Sequence, residues 1–249
     1  MIEVRDLRKQ FGEVKAVDGV SFTAQSGAIT GLLGPNGAGK TTTIRMIGTL
    51  VSIDGGAVAI DGVDVASDAD GARRATGLLT DSRGVYTRMT ARENIRYYAA
   101  LRGIAVARSE KTLGRFIEWL DMKDIIDRRT EGFSQGERMK VTIARALIHE
   151  PANVILDEPT NGLDVMSTRA LRELIKRLKA EGQAVMFSSH VMQEVAALCD
   201  EIVIVSHGRV TAQGTTAQLL EMSGRDNLED AFVVLAEIDD ADTTKREVA

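Results

Sequence analysis

At 249 residues the chain has room for one large domain, or one domain with an inserted subdomain, and for a substantial core. Its 44% hydrophobic and 27% charged residues are ordinary for a folded protein, and a net charge of −5 argues against general nucleic-acid binding, which wants a dense basic surface. The single cysteine, Cys199, excludes an internal disulfide and, by itself, a zinc cluster.

Met1 to Asp6 hold no apolar signal-peptide core, and no apolar run approaches the ~18 residues of a membrane span. The expectation is a cytosolic protein whose membrane part, where one is needed, comes from another polypeptide. Alternating β-branched residues in Ile2–Arg5 and around Val20–Thr23 predict short antiparallel strands. Ala28 to Leu33 predicts a buried strand. It runs into Gly34-Pro35-Asn36-Gly37-Ala38-Gly39-Lys40-Thr41, which fits the P-loop pattern G-x-x-x-x-G-K-[ST]. In that pattern glycines let backbone N–H groups converge on phosphate oxygens, the lysine supplies a point charge and the threonine hydroxyl can ligate Mg²⁺. A helix follows from Thr41 to Leu50, and its N-terminus adds attraction for phosphate. The candidate nucleotide-binding run is therefore Gly34 to Thr42, Thr42 included. The bland alternative is a glycine-rich turn with an incidental lysine.

Ala57 to Gly62 predicts a strand running into a turn, and Gly77 to Thr80 a short core strand. From Thr90 to about Glu150 apolar residues recur at helical spacing. There Phe116 and Trp119, three apart, read as subdomain core. Phe133-Ser134-Gln135-Gly136-Glu137 opens a long helix. Ser134-x-x-Glu137 is a capping box, which explains it locally. A helix tip carrying Ser134 and the Gly136 amide also suits a phosphate. Whether it serves this molecule's nucleotide or a partner's does not follow from the residues.

After Pro151 strand and helix alternate: Val154–Leu156, Ser167–Ala180, Ala184–Ser188, Val191–Leu198 and a final strand Glu201–Val205. Such alternation implies a parallel sheet flanked by helices. Asp157 and Glu158 end the first of these strands. Asp157 is suited to hold Mg²⁺ and Glu158 to polarise an attacking water; without the P-loop they would read as capping carboxylates. His190 follows the strand ending at Ser188, at the sheet edge where ligands bind, and reads as a γ-phosphate sensor. A lone histidine is otherwise a surface or core residue, and His149 and His207 are left structural. Cys199, in the run Val195 to Cys199, reads as a buried thiol. Residues 238–249 form an acidic, polar tail expected to be disordered. No internal repeat appears, so the chain carries one nucleotide-binding unit.

Over essentially residues 1 to 235 the chain resembles the ATP-binding subunit of an ABC transporter. The P-loop, Phe133-Ser134-Gln135-Gly136-Glu137, the run Leu156 to Asp164 and then His190 carry the likeness, in order and spacing. The resemblance implies an α/β fold with a P-loop (RecA-like) core, a parallel-sheet centre, an N-terminal antiparallel β-subdomain and a helical subdomain inserted at about 82–150. It also implies a Mg²⁺-dependent ATPase, with Glu158 and His190 catalytic and Thr41 and Asp157 on the metal. Two nucleotide-binding domains, a homodimer, would meet head to tail. Each ATP would then lie between one P-loop and the partner's Ser134, Gln135, Gly136 and Glu137. Asp164 would lie at the junction and Phe11 would stack on adenine, packing being the alternative for Phe11. A separate multi-span permease would anchor the protein at the inner face of the membrane, and no nucleic acid is expected.

Within that superfamily the runs Ser134 to Val141 and Asn161 to Ser167 resemble the sodium-extruding NatA type of the ABC-2 exporters. Val85, Tyr86 and Met89 are then candidates for the groove that meets the permease, or for local packing. Two residues depart from the family pattern. Asp81 stands where glutamine is usual; it either adds a charged ligand to Mg²⁺ or turns away from the phosphates, and the metal side is the expectation. Glu137 also replaces glutamine, tolerable if it folds back onto Ser134. A soluble ABC-type ATPase of translation or DNA maintenance is the competing function; a P-loop small-molecule kinase leaves the signature helix without purpose.

Overall fold

Strand residues in the centre of this protein are apolar on both faces because both faces are covered. In the computed structural model, which describes residues 1–80 and 84–236, the chain forms two sheets. The first is antiparallel. Strands β1 (Ile2–Phe11) and β2 (Val14–Ala24) make a hairpin, joined by β4 (Gly55–Ile60) and the short β5 (Val63–Asp64) in the order β2-β1-β4-β5. The second contains β3 (Ile29–Leu33), β6 (Thr76–Leu79), β7 (Asn153–Leu156), β8 (Ala184–Ser189), β9 (Glu201–Ser206) and β10 (Arg209–Gly214). Its order is β10-β9-β3-β8-β7-β6, parallel except where β10 pairs antiparallel with β9.

Alternation along these central strands sorts the core into two layers. Leu32, Ile155, Met186, Val203 and Val205 pack with the antiparallel sheet and with α1 (Lys40–Ile47) and α2 (Ala69–Ala75). Ile29, Leu33, Val154, Leu156, Val185, Phe187, Ile202 and Ile204 face the other way. They meet α3 (Ala91–Leu101), α4 (Val106–Trp119), α5 (Gln135–Leu147), α6 (Val165–Ala180), α7 (Met192–Leu198) and α8 (Thr216–Ser223). The chain is again helical over 228–236. Phe116 and Trp119 pack edge to face, 5.8 Å between centroids.

Element limits follow their caps. Asp164 caps α6 by accepting from the Ser167 N–H at 2.9 Å, so the helix starts at Val165 rather than at Ser167. Leu171, Leu174, Ile175 and Leu178 form its buried stripe. The strand from Glu201 is not the last. A two-residue turn, His207 at φ +47° and Gly208 at φ +77°, folds β10 back on it. Strand β10 is a half-exposed edge with polar Arg209, Thr211 and Gln213, which hides it from a search for apolar runs. Asp81 and residues 238–249 lie outside the described residues.

Candidate active site

Strands β3, β8 and β7 lie side by side with Leu33 opposite Ser189 and Leu156 opposite Phe187. Their C-terminal ends therefore bring together the loop after Leu33, the carboxylates after Leu156 and the imidazole after Ser189.

The glycine-rich loop is pressed against distant parts of the chain. Gly39 has φ +100°, and a Cβ there would fall 2.4 Å from the Ala16 carbonyl oxygen, so no side chain fits. Gly208 packs against the same side, its Cα 3.5 Å from that Cβ position; its N–H donates to the Ala38 carbonyl at 3.0 Å, and the Asp18 N–H donates to the Gly208 carbonyl at 2.8 Å. Arg209 pairs with Asp18 at 2.7 Å. Gly39 caps α1 without a side-chain hydrogen bond, so the first-turn N–H groups of that helix have no capping side chain. Lys40 is buried and donates to the carbonyls of Gly34 at 2.7 Å and Pro35 at 3.0 Å; Glu158 Oε1 lies 3.9 Å away. Burial pulls its ammonium below the usual lysine value, and the charges of Glu158 and Asp157 push it back.

Asp157 accepts from Ser188 Oγ at 2.6 Å and from Thr41 Oγ1 at 3.3 Å. Among the described residues no group of three or more His, Cys, Asp or Glu could hold a metal alone. A hydroxyl beside a carboxylate is, however, the hard-oxygen pair that suits Mg²⁺ when phosphate oxygens and water complete the shell. Glu158 sits at φ +43°, a left-handed backbone uncommon for a residue with a side chain, and its N–H donates to Ser188 Oγ at 2.9 Å. Its Oε2 lies 3.4 Å from His190 Nδ1. The geometry joins Lys40, Thr41, Asp157, Glu158 and His190 in one place.

A cleft of ≈ 610 Å³ separates this group from the tip of α5: Thr41, Asp157 and Glu158 line one wall, and Phe133, Gln135 and Arg138 another. Ser134 caps α5 by accepting from the Glu137 N–H at 3.1 Å, and its own N–H donates to Glu137 Oε2 at 2.8 Å. Glu137 thus folds back, held below the usual carboxylate range first by that Ser134 N–H. Gly136 is buried. The Gln135 amide donates to the Asn161 carbonyl at 3.3 Å. Asp164, held below its ordinary range by the Ser167 N–H, is exposed at the start of α6.

Other candidates stand apart. Phe11 is half exposed at the end of the β1–β2 hairpin, opposite Val14, with the Lys9 ammonium 5.4 Å from its ring centroid. Ala16, on the partner strand β2, lines a smaller pocket with Asn36 to Thr42 and Glu158; Phe11 is not in that lining. Of Val85, Tyr86 and Met89 only Tyr86 is exposed; Val85 packs against the core. His149 is partly buried, its Nε2 3.0 Å from the Thr76 carbonyl oxygen, and loss of solvent lowers it to about 4. Cys199 packs beside Gly31, and burial pushes its thiol up. Sequence reasoning missed Ser188, Thr160 and Glu194. Glu194 had left a signal: it lies on the apolar helix face with Val191 and Leu198, where a carboxylate is out of place.

The described ABC transporter family matches residues 17–161. The ABC transporter ATP-binding protein NatA of Bacillus subtilis (strain 168) is 41% identical over 94% of this chain and 97% of its own length. The Nod factor export ATP-binding protein I of Burkholderia lata is 34% identical over 88% of this chain and 72% of its own. A solved structure of an ATP-binding subunit of an ABC transporter superposes with a TM-score of 0.87 at 31% identity, covering 94% of this chain and 99% of that one. The chain belongs to the ABC transporter family. It is an ATP-binding subunit with ATPase activity.

Proposed function

We propose that the chain binds ATP with Gly34 to Thr42 and hydrolyses it at Glu158, to drive export through a separate membrane permease. The observation that carries this is the convergence of Lys40, Thr41, Asp157, Glu158 and His190 at three neighbouring strand ends. Backbone N–H groups of the loop and Lys40 hold the β- and γ-phosphates, and Phe11 takes the adenine. Thr41 and Asp157 hold Mg²⁺, which when bound neutralises phosphate charge; the sequence assigns Asp81 to the same side. Glu158 orients a water and draws its proton as the water oxygen attacks the γ-phosphorus. The bond to the bridging oxygen breaks, leaving ADP and phosphate. His190, in contact with Glu158 through Nδ1, offers its other nitrogen to the γ-phosphate.

The exposed tip of α5 is assigned to the nucleotide of a second copy, so that two ATP molecules lie between head-to-tail protomers. Val165 and Met166, 83% and 71% exposed beside Asp164, support a protein partner at that junction. Residues 1–237 act as one nucleotide-binding domain with the helical part inserted at about 82–150. Among the described residues no helix is long and apolar enough to cross a membrane; the permease holds the protein at the inner face of the membrane. Sodium is the cargo suggested by the NatA-type likeness.

Glu158→Gln tests the reading. It should bind ATP, lose hydrolysis by at least ~10²-fold, and elute as a dimer in size-exclusion chromatography with ATP. Retained hydrolysis would remove Glu158 from the mechanism, and a monomer at saturating ATP would remove the shared site.

A further inference from the structure

We infer that Thr160 and Glu194 form a positioning contact that keeps the His190 imidazole against Glu158. The inference rests on the roles proposed for Glu158 and His190. These two residues stand on different loops, one after β7 and one after β8, and each loop could carry its side chain away from the other. Two ties bracket them. On the strand side, Ser188 Oγ accepts from the Glu158 N–H at 2.9 Å and donates to Asp157 at 2.6 Å. On the helix side, Thr160 Oγ1 donates to Glu194 Oε2 at 2.6 Å. Thr160 lies just beyond Glu158 and Pro159, and Glu194 in the first turn of α7 just beyond His190.

The second tie has features that exceed what packing requires. Glu194 is a carboxylate only 7% exposed, and burying it is costly unless its charge is answered. Three answers are present: the short hydroxyl bond, Arg172 of α6 at 3.5 Å, and the N-terminal turn of its own helix. His190 itself is 45% exposed; a bond from the Val191 N–H to Ser189 Oγ at 3.0 Å shapes the backbone around it, and the two ties fix that segment against the Glu158 loop. An O–H···O⁻ bond fixes both distance and direction. A displacement of about 1 Å at a catalytic group can cost ~10²-fold in rate.

Thr160→Val and Thr160→Ser separate positioning from stability, since valine keeps the shape and serine the hydroxyl. In the purified full chain, Thr160→Val should lower kcat for ATP about 10-fold or more, with KM within about twofold of the parent. Thr160→Ser should recover most of the rate. In a His190→Ala background the valine substitution should bring no further loss, because the group it places is gone. Circular dichroism and thermal unfolding of each variant report whether it folds. An unchanged kcat in folded Thr160→Val would overturn the inference. So would equal losses in the valine and serine variants, or a full further loss on top of His190→Ala. If Glu158→Gln were dead while Thr160→Val behaved as the parent, only this inference would fall; if Glu158→Gln still hydrolysed ATP, the underlying reading would fall with it.

Discussion

The amide of Gln135 lies against the backbone of Gly162: a Cβ at 162 would stand 2.5 Å from Gln135 Nε2 and 2.7 Å from Oε1. Together with the 3.3 Å bond from that amide to Asn161, this joins the tip of α5 to the loop that leaves Glu158. The family's signature helix and its own hydrolytic loop therefore touch within one protomer.

Two effects compete at Gly162. The amide is the flexible end of a side chain and can swing aside, whereas φ +71° is a backbone cost that cannot be evaded. Strain should win. Gly162→Ala is expected to lose about 1–2 kcal/mol of stability, and Gln135→Ala, which removes one exposed hydrogen bond, about 1 kcal/mol or less. Urea unfolding of both variants measures this, and a cost near zero for Gly162→Ala would contradict the left-handed backbone there.

Lys40 is the loop's own cation. A hydrogen bond to a charged group is worth about 1.5–3 kcal/mol, so Lys40→Ala should bind ATP roughly 10- to 150-fold more weakly. Titration with a fluorescent ATP analogue would show it. Equal affinity in variant and parent would remove Lys40 from the phosphate site.

The partly buried imidazole of His149 sets a pH dependence of stability. Its native value is about 4 against an ordinary 6.5, so between those pH values the unfolded chain binds more protons than the folded one. Stability contributed by the neutral ring is complete above pH 6.5 and is lost as pH falls toward 4, by up to about 3 kcal/mol. His149→Gln should flatten that part of the profile. Melting temperatures at pH 5 and pH 7.5 provide the check: parent and variant should differ in how much they lose between the two, and identical losses would place His149 in water.

The sequence made much of this site legible because its chemistry sits in contiguous runs, Gly34 to Thr41 and Leu156 to Glu158, at the ends of apolar strands. Ser134 and Glu137 were readable as a capping box, and the structure shows both of its hydrogen bonds. What escaped were residues whose roles depend on pairing across the fold. Ser188 gains its part only when β8 lies beside β7, and Thr160 only when α7 packs over its loop. Strand β10 was hidden by its polar edge, and the exposure of Tyr86 but not Val85 could not be told from two adjacent apolar residues.

The glycine-rich loop rests where two distant segments meet, Ala16 and Asp18 of β2 with Gly208 and Arg209 of the β9–β10 turn. During synthesis the first of these supports leaves the ribosome before the loop and the second long after it. A nascent chain that stops short of the β9–β10 turn has every residue of the P-loop but only half of the frame that shapes it. Shaping of the loop should therefore wait for the β9–β10 turn, and retention on immobilised nucleotide should report that this turn has docked.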